Sequence, residues 1–196
     1  MQRSALVMLS LAASTLALSA CGSTPPSRFY TLEAVPAALE PAADAGRLAI
    51  DVGPVVLAEG LDRSQMVTRV GPNEVELHEY SRWAEHLEDN VARVLAEDLA
   101  VALGTQRVGT LPGAETREES WHVSVLVLRL ESGADGQSLL VARWRLFKPG
   151  VSTPALTRKS AFSTTLPARD AGGMAAALST DLDALAREIA AALPVR

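Results

Sequence analysis

Two stretches of this chain carry apolar residues at helical spacing, while the segments around them alternate at a period of two. Leu87, Val91, Val94, Leu95, Leu99, Ala102 and Leu103 fall on one stripe of a helix expected over residues 83–103. Ser81 stands as its N-cap and Gly104 as its terminator. Leu178, Leu182, Leu185, Ile189 and Leu193 line a second helix over residues 174–193, which Pro194 ends. Each helix has one apolar face and must bury it. With strands before and after the first helix, the economical solution is an α+β fold. In it two amphipathic helices pack on a mixed, largely antiparallel sheet, in strand-helix-strand-helix order.

Strands are expected over residues 28–33 and over 47–52, where Leu48, Ile50 and Val52 share a face. Residues 65–70 and 74–77 flank Gly71-Pro72-Asn73 and read as a hairpin. A short edge strand falls at 106–109. Residues 121–130 carry Trp121, Val123, Val125 and Val127 on one face and Leu126, Leu128 and Leu130 on the other. Apolar residues on both faces imply a central strand covered on both sides. The Asp135-Gly136 pair turns the chain into residues 139–147, with Leu140, Ala142, Trp144 and Leu146 inward and Arg143 and Arg145 outward. A hydroxyl-rich last strand at 157–165 belongs nearer an edge. Residues 34–46 and 111–120 read as loops.

The amino terminus carries an expectation about compartment. Arg3 precedes an apolar run over residues 5–18, which is too short to span a bilayer. Leu18-Ser19-Ala20-Cys21 follows, and Cys21 is the only cysteine in the chain. This pattern is a lipobox. Residues 1–20 are expected to be a signal peptide, 21–27 a lipidated cysteine with a short tether, and 28–196 one globular domain. The Cys21 thiol would carry a diacylglyceryl group and its amine an acyl chain such as palmitate. Two or more chains give stable anchoring where one does not. Residue 22 is glycine rather than aspartate, which favours the outer membrane, facing the periplasm, over the inner membrane. The six tether residues reach at most roughly 20 Å, so the domain sits close to its membrane.

With its single thiol spent on lipid, the domain has no internal disulfide and rests on its core alone. Removing residues 1–20 takes away Arg3 and moves the formal net charge from -5 to -6. That balance speaks against nucleic acid as a partner and against electrostatic adhesion to anionic lipid. His78, His86 and His122 lack the His-Glu-x-x-His spacing of a helical metal site, so no metal is expected. No nucleophile elbow or phosphate-binding glycine loop appears, and neither an enzyme nor any cofactor beyond the Cys21 lipid is expected.

Two dense clusters remain, residues 61–69 and 80–87. Leu61, Asp62, Arg63, Gln65 and Arg69 in the first, with Arg82 and Trp83 in the second, are the candidates for partner binding. The alternative for each is structural: a solvated loop entering a strand, and a tryptophan sealing the end of the core. Together with Arg28-Phe29-Tyr30-Thr31-Leu32 and Pro54-Val55, these clusters in this order behind a lipobox resemble the PqiC-type lipoproteins, the auxiliary lipoprotein component of ABC-type transport systems. The chain departs from that pattern at Ser64 and His86, where proline is common.

The resemblance implies a non-enzymatic subunit of an MCE-type system. In such a system a permease and ATPase work with a periplasmic MCE protein that moves lipids or other apolar molecules between membranes. This chain would dock the MCE assembly at the outer membrane and so serve envelope integrity. Because MCE assemblies are oligomeric, a homo-oligomeric ring of the lipoprotein is a further expectation. Two alternatives stand beside it: a lipoprotein that holds an acyl chain between sheet and helices, and a structural or pilot lipoprotein of another envelope machine.

Overall fold

A computed structural model describes residues 25–36, 48–111 and 119–194. The lipobox, Cys21 and most of both expected loops lie outside the described residues. In chain order the elements are β1 (Arg28–Tyr30), β2 (Ile50–Leu57), a 3-10 turn (Glu59–Leu61), β3 (Gln65–Gly71), β4 (Glu74–Trp83) and α1 (Leu87–Leu103). They continue with β5 (Val108–Thr110), β6 (Trp121–Gly133), β7 (Ser138–Phe147), β8 (Pro154–Phe162) and α2 (Ala171–Ala192). The fold is the expected α+β arrangement, with both helices on a mixed, largely antiparallel sheet of eight strands.

Strand β6 is the hub. It pairs antiparallel with β7 from His122 to Ser132. Its other edge is shared: β2 runs parallel to its first half, and β3 joins its end through Thr68↔Ser132 and Arg69↔Gly133. Strands β4 and β1 extend the sheet beyond β3, β5 lies beyond β2, and β8 lies beyond β7. The expected edge positions of β5 and β8 hold.

Paired residues share a face, so Val52, Val123 and Leu146 point together, as do Val125 with Trp144 and Val127 with Ala142. These residues are buried under Leu95 and Leu99 of α1 and Leu178, Leu182 and Leu185 of α2, in one continuous core. Each buried Val or Leu among them stabilises the fold by roughly 1.5–3 kcal/mol. The Asp-Gly turn closes between β6 and β7, with the Gly136 N–H on the Gly133 carbonyl at 3.0 Å. Gly104 takes φ 62° and, with Thr105, donates to the carbonyls ending α1, as its place predicted.

Four expectations need correction. First, α1 begins at Leu87, not Trp83, and the N-cap position belongs to His86 rather than Ser81. Residues 81–83 instead extend β4, because β1 pairs with them: Arg28↔Ser81, Phe29↔Arg82, Tyr30↔Trp83. Trp83 lies four residues before Leu87, so the helical stripe ran through a strand it had no means to distinguish. Second, β6 is central but covered by helices on one side only. Val123, Val125 and Val127 are buried, whereas Leu126 and Leu128 are half-buried; a register shift after Val127 turns Leu130, expected on the far face, into the core opposite Leu140.

Third, α2 starts earlier, capped by Asp170, whose Oδ1 accepts the Gly173 N–H at 2.7 Å. Gly172 and Gly173 are poor helix formers and hid that first turn. Glycine is required at 173, since a Cβ there would meet the Ala168 carbonyl oxygen at 1.9 Å. Fourth, the boundaries shift in β2, which runs on through Pro54 to Leu57, and in β8, which begins at Pro154.

Candidate functional site

The two sequence clusters meet where β3 begins and β4 ends. The Leu61 N–H closes the 3-10 turn on the Ala58 carbonyl at 2.7 Å. That turn sends the Leu61 side chain inward and leaves Asp62, Arg63 and Ser64 exposed. Arg63 is braced by its own turn, Nε donating to the Gly60 carbonyl at 2.8 Å. The Trp83 N–H then donates to the Ser64 carbonyl at 2.7 Å, and Gln65 stands opposite Arg82 in the ladder.

Trp83 is 5% exposed and belongs to the main core. Its ring forms the inner wall of a surface pocket of about 430 Å³, with Asp62, Arg63, His86 and Leu87 around it. Arg82 is half-buried, with Nε on the Glu79 carbonyl at 2.9 Å and Nη2 3.7 Å from the Glu79 carboxylate. Asp62 and Arg63 make no ion pair among the described residues.

Arg69 is not part of this pocket. It stands at the far end of β3, where Nε and Nη2 grip both oxygens of Glu131 at 2.8 and 3.1 Å. Arg129 donates to the same carboxylate through Nε at 2.6 Å. Burial works to raise the Glu131 carboxyl, which is 3% exposed. The hydrogen bonds and charges of Arg69 and Arg129 outweigh it and hold the group below the ordinary carboxylate range. The bond to Glu131 in turn raises the Arg69 guanidinium. This triad ties β3 to β6 at their thinnest junction.

The segment after β1 is fastened to both helices. The buried Asn90 side chain reads the Leu32 backbone as a neighbouring strand would, accepting its N–H at 2.7 Å and donating to its carbonyl at 3.1 Å. The Glu33 N–H donates to Ser179 Oγ on α2, and the Val35 N–H to Asp98 Oδ1 on α1, both at 3.1 Å. Arg93 adds the Leu32 carbonyl at 3.0 Å and contacts to Glu85 and Glu97. Residues 31–35 thus form a strap across the helical layer, beginning ten residues after Cys21. Sequence periodicity gave no sign of it, since Asn90 and Asp98 look like ordinary polar positions of an amphipathic helix.

A concavity of about 840 Å³ lies on the sheet face away from the helices. Strands β2, β6 and β7 and the turn after β7 build it together, so no local motif announces it. One signal was available: Asp51, a carboxylate set between Ile50 and Val52 in an apolar strand. Among the described residues, no three His, Cys, Asp or Glu side chains gather as metal ligands, and no helix is long and apolar enough to cross a membrane.

An eight-stranded mixed sheet with two helices on one face, and a pinned strap following the first strand, defines a small α+β domain without a cluster of metal ligands among its described residues. The sequence matches the family described as ABC-type transport auxiliary lipoprotein component over residues 30–190, and the chain belongs to that family. The resemblance to PqiC-type lipoproteins therefore holds. The family is an auxiliary transport component rather than a class of enzyme, and lipoprotein membership goes with a membrane-anchored place in the envelope. No curated protein matches the sequence. Among solved structures, an uncharacterized protein is 14% identical with a TM-score of 0.71, covering 86% of this chain and 99% of its own. A Xanthomonas campestris protein of family DUF330 is 17% identical with a TM-score of 0.64, covering 83% and 92%. At these identities the two establish a shared fold.

Proposed function

We propose that this chain is the membrane-anchored docking subunit of an MCE-type ABC transport system, held at the periplasmic face of the outer membrane by lipid on Cys21. The observation that carries this reading is the family match over residues 30–190, standing directly behind the lipobox. The docking surface is the β3–β4 junction: the pocket lined by Asp62, Arg63 and Trp83, together with Gln65 and Arg82, which are paired beside it in the ladder, and with buried Leu61 fixing the turn that presents Asp62 and Arg63. Two free charges of opposite sign over a fixed aromatic base suit a polar partner segment laid across the pocket. The transported cargo is a lipid or similar apolar molecule carried by the MCE partner. Storage of an acyl chain within this domain is not favoured, because Leu140, Trp144, Leu178 and Leu182 fill the space between sheet and helices.

The test is purification of C-terminally tagged, full-length protein from detergent-solubilised envelope, with co-purifying proteins identified by mass spectrometry. An MCE protein with its permease and ATPase is the expected catch, lost when Arg63→Glu and Arg82→Glu are combined. Recovery of a secretin or a cell-wall machine instead would overturn the transport reading. An MCE catch untouched by the double variant would keep the role and refute the surface. Cys21→Ala should release the domain from the membrane fraction; retention there would sink the lipobox reading.

A further inference from the structure

The cleft on the helix-free face differs from the rest of the molecule in how its polar groups are used. Among the described residues, three buried side-chain polar atoms have no hydrogen-bond partner, and two of them, Asp51 Oδ1 and Ser120 Oγ, belong to residues that line this cleft. Their residues are 1% and 6% exposed. A buried carboxylate oxygen or hydroxyl without a partner is costly, and such atoms are normally paired. Arg145 and Lys148, which also line the cleft, make no ion pair among the described residues, although the chain is acidic overall.

The ladder fixes how these groups sit. Asp51 is paired with His122, His122 with Phe147, and Ser124 with Arg145. All therefore point to the same face, in two adjacent rows across β2, β6 and β7. The His122 and Phe147 rings meet edge to face, centroids 5.6 Å apart, and form a stiff wall between the two charged ends. Two strand spacings across and two residues along put the Asp51 and Arg145 backbones roughly 12 Å apart. The length of the Arg145 and Lys148 side chains brings that span within reach of a small two-headed molecule. One end offers a buried carboxylate and a hydroxyl, and the other offers two cations.

We propose that this cleft binds a zwitterion, a phosphate ester bearing a primary ammonium group. Asp51 and Ser120 receive the ammonium, and Arg145 and Lys148 receive the phosphate. An ammonium supplies both the hydrogen-bond donor and the countercharge that the Asp51 carboxylate lacks, which a hydroxyl does not. A guanidinium and an ammonium side chain together are the usual recognition set for phosphate. The chemistry is that of phosphoethanolamine, either free or as the head group of a lipid. The inference stands on the cleft alone and does not depend on the transport role.

Full-length protein in an uncharged detergent is titrated with phosphoethanolamine, dihexanoyl-phosphatidylethanolamine, phosphocholine and inorganic phosphate. Binding is read by calorimetry and by the His122 ring resonances in NMR. At least one of the first two probes should bind and shift His122. Phosphocholine, whose methylated nitrogen donates no hydrogen bond, and inorganic phosphate should bind about tenfold or more weakly, a difference of roughly one charge-assisted hydrogen bond. Asp51→Asn should weaken binding by a similar factor, and so should Arg145→Ala, which alters an exposed side chain and leaves melting unchanged. Binding of both probes, or of the lipid alone, or of the free ester alone, identifies the source while supporting the site. Failure of both probes overturns the proposal. So does inorganic phosphate binding as tightly as phosphoethanolamine, or binding undiminished in Arg145→Ala. If Asp51→Asn does not fold, Arg145→Ala and the phosphocholine contrast still decide.

Discussion

The strap makes the stability of this domain depend on pH through one carboxyl group. Asp98 is 1% exposed; Oδ1 accepts the Val35 N–H, while Oδ2 is buried without a partner. Burial is the main reason its pKa is pushed up from 3.8 to about 7; the Val35 N–H opposes the shift, while Asp183 and Glu97 add to it and Arg187 partly offsets it. The native state therefore binds this proton more tightly than the unfolded chain. The stability due to neutral Asp98 is fully present below about pH 4 and is lost as pH rises through about 7. A shift of about three units at 1.36 kcal/mol each gives a loss of roughly 4 kcal/mol across that window.

Asp98→Asn keeps the acceptor for Val35 but cannot ionise, and its amide nitrogen inherits the unpartnered position at a constant cost of about 1–3 kcal/mol. Wild type should therefore be the more stable protein in acid, and the variant should equal or exceed it at about pH 8. Urea unfolding of both proteins at a series of pH values measures the gap. It should close by up to about 1.4 kcal/mol per pH unit across the window. Asp181, whose carboxyl is also raised by burial against bonds from Ser138 and Thr164, is common to both proteins and cancels. Two curves that run parallel from about pH 5 to pH 8 would refute the reasoning, because Asp98 would then ionise as it does in the unfolded chain.

Trp83→Ala should lower stability by about 3–5 kcal/mol in denaturant unfolding, as for other buried large-to-small changes; unchanged unfolding with a lost partner would make the ring an interface residue instead. Arg69→Ala leaves the Glu131 carboxylate with Arg129 alone and should cost about 1–3 kcal/mol by the same assay. Gly173→Ala forces the first turn of α2 away from the Ala168 carbonyl and should cost about 1–3 kcal/mol, with a lower melting temperature; an unaltered one would mean that the turn yields freely.

The periodic features were legible: both helices, the Asp-Gly turn, the Gly104 terminator, and the inward face of β7 through Leu140, Ala142, Trp144 and Leu146. What escaped depends on pairing between segments distant in sequence. Residues 81–83 became strand because β1, some fifty residues earlier, lies beside them. The far face of β6 looked buried because Leu126 and Leu128 are apolar, yet no helix follows on that side. Of the candidate site, Asp62, Arg63 and Trp83 share one pocket, while Gln65 and Arg82 pair with each other in the adjoining β3–β4 ladder. Arg69 carries the same kind of charge, but its direction was set by Glu131 on β6, which local sequence does not record. The cleft and the strap are of the same kind, made by side chains from three or four elements.

The strap also decides how the domain responds to being pulled. Tension applied at residue 21 reaches β1 first, and a strand of three residues at a sheet edge would unzip easily by itself. Beyond it the line of force meets Leu32, Glu33 and Val35, each tied to a helix rather than to the next strand. The bonds at Asn90, Ser179 and Asp98 sit on two different helices, so freeing residues 32–35 requires breaking contacts to both. If the proposed lipid on Cys21 anchors the chain, β1 comes away first and the remaining seven strands stay shielded until those helix contacts break.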